Sequence, residues 1–192
     1  RKVLTNSVST AQRCLERLRA AMSPHGPLGN PVVLGLARPL GLSGPTVGIA
    51  RNETGDEVQL AVLQDLSPET IAAFVRSVVM PSSTFITNNW TPWKDVAMSV
   101  KAGSHVPQQQ SSSGTDEPWD NPRQAKYVAQ RLEQWLAGMP PQAVWQVDWS
   151  GILTEFTFRE QTRIGWSRGR RFYRLLKQAL ALKPTDRPQA QS

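Results

Sequence analysis

Three short runs of β-branched and aliphatic residues, Val32–Ala37, Thr46–Arg51 and Val58–Leu63, constrain this chain more than any other feature. Each is too short for a helix, and turn formers separate them: Gly41, Ser43, Gly44 and Pro45 first, then Asn52 to Asp56. Such spacing predicts an antiparallel meander. The period then changes. Ser67-Pro68-Glu69 is a helix start with Pro in the first turn, and Ile71, Phe74, Val75, Val78 and Val79 recur on one face. Pro81 stops that helix, and Thr84–Thr87 reads as a fourth strand. Strand, strand, strand, helix, strand predicts an α+β class with a mixed sheet.

On the N-terminal side, Val8, Ala11, Leu15, Leu18 and Met22 recur at helical spacing, so residues 8–22 read as an amphipathic helix capped by Ser7 or Ser9. Its polar face is Arg13, Glu16, Arg17 and Arg19, and Cys14 is expected in the core. Beyond the fourth strand, Thr91–Val100 predicts a short helix with Trp93, Val96 and Val100 inward. Gly103 to Asn121, rich in Gln and Ser, reads as a mobile loop. Helices are expected over Gln124–Ala137, with Val128, Leu132, Trp135 and Leu136 inward, and over about 148–161. A last helix over about 169–182 places Phe172, Leu175, Leu176, Ala179 and Leu180 inward and Arg170, Arg171, Arg174 and Lys177 outward. The expected organisation is an N-terminal helical piece (1–28), one core domain with C-terminal helices (29–182) and a disordered tail (183–192).

The net charge of +7 is unevenly placed. Residues 1–155 hold 13 basic and 13 acidic side chains, whereas residues 156–192 hold nine basic and two acidic ones. A basic block of that density attracts phosphate backbones through counterion release, although a merely solvated helix face is the plainer alternative. The one cysteine excludes an internal disulfide and fits a reducing cytoplasm. No run approaches the roughly 18 apolar residues of a membrane span. The chain begins with Arg1 rather than Met, as after processing or in a piece of a longer reading frame.

Sheets of this kind place reacting groups just past the carboxyl ends of their strands. Here the strand of T-F-I-T-N-N-W, Thr84 to Trp90, runs into Asn88 and Asn89, with no carboxylate. His25 has no second His or Cys nearby and reads as a surface histidine. Asp65 precedes Ser67-Pro68 and reads as part of a helix cap; Asp116, Glu117 and Asp120 read as solvated loop acids. Glu155 can face a site or pair with Arg159 four residues on.

Four stretches carry a resemblance. Residues 132–138 (L-E-Q-W-L-A-G), 142–144 (Q-A-V) and 152–159 (I-L-T-E-F-T-F-R), then 167–176 (S-R-G-R-R-F-Y-R-L-L), resemble the C-terminal part of bacterial insertion-sequence transposases of the ISXO type. That family shows L-K-R-W-L-L-G-T-H-Q-G-A-V, then Y-L-D-E-F-T-F-R, then S-R-G-x-L-F-Y-R-L-L. Thr10-Ala11 through Met22 is similar to its first helix, Ile86 to Trp90 sits where it has V-x-T-D-G-W, and Gly103-Ser104-His105 where it has G-Y-x-H. The resemblance covers roughly residues 5 to 180.

It implies a ribonuclease-H-like core that cuts and joins DNA with two divalent ions on acidic residues. Mg²⁺ prefers carboxylate oxygens, and two ions need several converging charges. The family's first Asp falls on Gly35, and the acid beside it on Leu36; its second Asp falls on Asn88. Asn88 and Glu155 are thus the family-equivalent or leftover catalytic positions, and no metal ligand set is expected, with Mg²⁺ reserved for any residual competence. The expectation is a transposase-derived protein with strand transfer lost, which binds DNA through Arg163, Arg168, Arg170, Arg171, Arg174 and Lys177; Trp166 can stack or pack. Homodimerisation stays open, and no membrane partner is expected. A relic of an inactivated element and a recruited interaction module are the rival readings.

Overall fold

The structure is a computed structural model and describes residues 2–23, 26–29, 31–41, 44–55, 57–108, 117–139, 148–163 and 167–181. It forms two compact units, His25–Leu153 and a second made of Arg1–Pro24 with Thr154–Ser192.

The first unit is built on a five-stranded mixed sheet in the order β3-β2-β1-β4-β5. β1 (Val32–Ala37), β2 (Thr46–Asn52) and β3 (Val58–Leu63) form the expected antiparallel meander. β4 (Thr84–Thr87) lies parallel to β1, and β5 (Ser104–Pro107) parallel to β4. The strand β5 overturns the expectation of a loop after Gly103. Its sequence, S-H-V-P, carries no strand signal because an edge strand has one neighbour and little to bury. Residues 109–116 of the expected loop lie outside the described residues.

Helix α2 (Pro68–Val78) starts where expected, with the Ser67 hydroxyl accepting from Thr70 N and Pro68 in the first turn. Its stripe of Ile71, Phe74, Val75 and Val78 packs with Leu34 and Leu36 of β1 and with Trp93 and Val96 of α3 (Pro92–Ser99) in one apolar core. Each such side chain, fully buried, contributes about 1.5–3 kcal/mol. α4 (Arg123–Ala137) lies against β1 and β2 and buries Ala125, Val128, Leu132 and Leu136; Trp135, expected inward, is half-buried. All six residues of β1 are therefore buried, as in a central strand covered on both faces. At Gly48 of β2 the Phe74 ring lies 2.8 Å from where a Cβ would stand, so glycine permits the close helix–sheet approach.

α5 (Trp149–Gln161) begins in this unit and ends in the second. Within the second unit α1 (Lys2–Met22) packs along α6 (Arg168–Ala181), and Arg17 Nε donates to Ala179 O at 3.0 Å. α1 starts six residues before the expected position, so Ser7 and Ser9 lie inside the helix and do not cap it. Cys14 and Leu15, expected inward, are exposed. The larger correction concerns α6. Phe172, Leu176 and Leu180 are 67%, 44% and 71% exposed, and the helix turns Ala179 inward with Leu175 half-buried. The apolar periodicity identified the helix, but the contact with α1 leaves much of its broad apolar arc exposed.

Candidate functional site

The register of β1 on β4, Val32 opposite Phe85 and Val33 opposite Ile86, sets Gly35 beside Asn88 when continued by two residues. The two positions that the resemblance singles out in the sheet unit thus neighbour each other at the carboxyl ends of adjacent parallel strands, where reaction sites of such sheets form. Here those ends are sealed. Asn121, 4% exposed, lies over β1: its Oδ1 accepts from Leu36 N at 2.8 Å and its Nδ2 donates to Leu36 O at 2.6 Å. The amide thereby copies a strand neighbour. A Cβ at Gly35 would stand 2.6 Å from both Asn121 Oδ1 and Ala125 Cβ, so the place of a β1 carboxylate is filled by protein.

Asn88 takes part in the same seal. It is 3% exposed, and its Nδ2 donates to Glu117 O at 2.7 Å, while its Oδ1 is buried without a hydrogen-bond partner among the described residues. Trp119, between these anchors, lies under the Arg38 guanidinium at 4.6 Å, and Arg38 Nε donates to Thr46 Oγ1 at 3.3 Å. The segment from Glu117 to Asn121 is therefore pinned across the strand ends by two asparagines and one cation–π contact. The loop acids read as solvated separate here: Glu117 is exposed and Asp120 half-buried, and Asp116 lies outside the described residues.

These residues do not fit a pair of divalent ions. Gly35 and Leu36 offer no side-chain donor, and Asn88 offers one neutral oxygen. Among the described residues no group of three or more His, Cys, Asp and Glu side chains converges. Glu155 lies on α5 in the helical unit, and its Oε1 accepts from Arg159 Nε at 2.9 Å and Nη2 at 2.7 Å, the pairing weighed from sequence. Asp65 is part of the cap, as expected, accepting from Ser67 N at 3.0 Å and Ser67 Oγ at 2.6 Å; the Ser67 hydroxyl, above all, lowers its pKa.

Behind Asn88 sits a histidine. His105 Nε2 lies 2.7 Å from Thr87 Oγ1, and the Thr87 hydroxyl donates to Asn88 O at 2.8 Å. Burial, then the Lys94 charge, holds the His105 pKa below its ordinary value.

The basic side chains proposed from sequence gather on the helical unit. α6 carries Arg168, Arg170, Arg171, Arg174 and Lys177 with no acid. Arg170 and Lys177 are exposed, Arg171 and Arg174 half-buried. Arg163 follows α5 and pairs with Glu160 at 3.1 Å. Trp166 and His25 lie outside the described residues. Sequence reasoning missed Asn121, whose Asn-Pro dipeptide reads only as a turn before a helix, and missed that Phe172 and Tyr173 face outward. Compared with protein-family models and with curated proteins, the chain matches none.

Proposed function

We propose that this protein is a transposase-derived DNA-binding protein with a ribonuclease-H-like core, in which strand-transfer chemistry has been lost. The observation that carries the binding reading is the acid-free basic helix α6, whose exposed Arg170 and Lys177 offer phosphate contacts. The strand order, antiparallel through β3, β2 and β1 and parallel through β4 and β5, supports the core assignment. Loss of catalysis is supported by Asn121 and Ala125, which fill the space over Gly35, and by the neutral Asn88.

The test is titration of labelled duplexes of different sequence at several salt concentrations. Affinity should vary little with sequence, and log K against log salt should have a slope of about −3.6 to −5.4, for four to six phosphates neutralised. Arg170→Ala with Lys177→Ala should reduce that slope by about 2. Salt-independent binding would count against the reading. Incubation of supercoiled DNA with Mg²⁺ or Mn²⁺ should give no nicking; nicking abolished by Glu155→Gln would return the chain to the active enzymes.

A further inference from the structure

We propose that the helical unit binds unpaired nucleotides, with bases stacking on Phe172 and Tyr173. This rests on the DNA-binding reading and specifies which form of nucleic acid the unit prefers.

Two large aromatic rings stand 67% and 69% exposed on α6, which carries five basic residues and no acid, and each has cations beside it. Tyr173 shares an open surface with Gly169, Arg170, Arg174 and Lys177, and among the described residues no atom lies within 4 Å of where a Cβ at Gly169 would stand. Phe172 borders a hollow of about 320 Å³ whose apolar lining is Met22, Phe158 and Leu175, with the guanidinium-bearing Arg159 and Arg171 at its sides. That combination suits a planar, polar-edged heterocycle: ring and methylene surface for its faces, cationic donors for its edge and phosphate. A duplex keeps base faces inside its stack, so exposed rings on a convex helix gain nothing from it. An unpaired strand offers those faces. Leu176 and Leu180 continue the stripe and supply apolar contact for sugars and base edges.

A second copy of the chain fits the stripe less well. A two-fold contact sets a surface against itself, and Arg170 and Lys177 flank the stripe with no acid on the helix to answer them. Nucleic acid answers that charge along its whole length.

The test compares anisotropy titrations of a mixed-sequence single strand of about 20 nucleotides and its duplex, at about 0.2 M salt, with the full chain. The single strand should bind about 10-fold or more tightly than the duplex, and Phe172→Ala and Tyr173→Ala should each weaken it about 5- to 100-fold while leaving the duplex within about twofold. Tyr173→Phe should keep wild-type affinity, because the ring and not the hydroxyl is used. Arg170→Ala should weaken both forms. If Phe172→Ala loses helical circular dichroism, the Tyr173→Ala and Tyr173→Phe pair decides alone. Equal affinities untouched by the aromatic variants overturn the stacking inference and leave DNA binding standing. Failure to bind either form overturns both. A dimer by light scattering that Phe172→Ala and Leu176→Ala dissociate would assign the stripe to a second copy and overturn the inference.

Discussion

Gly35 and Asn121 show how one residue's size decides what a site can hold. Gly35→Asp would place a carboxylate on β1, yet its Cβ would stand 2.6 Å from Asn121 Oδ1 and Ala125 Cβ, both held by backbone. We expect it to destabilise the sheet unit by about 2–4 kcal/mol, from overpacking and a buried charge, and to confer no Mg²⁺-dependent nicking. Thermal melts and a plasmid assay check both halves. Asn121→Ala should cost about 2–4 kcal/mol, because it leaves both polar groups of buried Leu36 unpaired. The titrating residues give separate pH signatures. His105 has a folded pKa below 6.5, so the unfolded chain takes up a proton first as the pH falls. Stability should therefore drop from about pH 6.5 downward and level off below the folded pKa, and His105→Gln should flatten that window in melting curves. Asp65, with its pKa lowered from 3.8, stabilises above that value and loses the contribution as pH falls through its folded pKa; Asp65→Asn should remove the dependence.

Among the elements, those with strong local signals were legible and those made by neighbours were not. The meander, α2 and α4 follow from runs, caps and stripes that any chain of this sequence would show. β5 exists because β4 offers a parallel partner, with Thr84 opposite Ser104 and Ile86 opposite Val106, and nothing in S-H-V-P announces it. α3 ends in an αL turn: Lys101, at φ 53°, donates to Met98 O, and Ala102 N donates to Ala97 O. Glycine is the usual residue at that position. Lys101→Gly should relieve roughly 1 kcal/mol of strain, partly offset by the freer unfolded chain, giving a net change within about 0.5 kcal/mol in denaturant melts. In contrast, Gly48→Val should destabilise by about 1–3 kcal/mol, since the Phe74 ring has to leave its place between sheet and helix. The orientation of α6 was the element most misread, because a wide apolar arc does not say which part of it finds a partner.

For the molecule as a whole, the charge asymmetry was fully readable from composition along the chain: zero over residues 1–155 and +7 beyond. That distribution is legible without a fold, since charge is carried by residue type. The order of the elements from β1 to β4 was likewise set by local periodicity and turn residues. What the sequence could not decide was filling and facing. Whether the ends of β1 and β4 are open depends on Asn121, 85 residues from Leu36, whose amide reaches a backbone it adjoins only in the folded sheet. Whether Phe172 and Tyr173 are core or surface depends on how much of α6 is covered by α1. Local rules act over a few residues and fix elements; burial and close approach are sums over distant neighbours, and those belong to the tertiary structure alone.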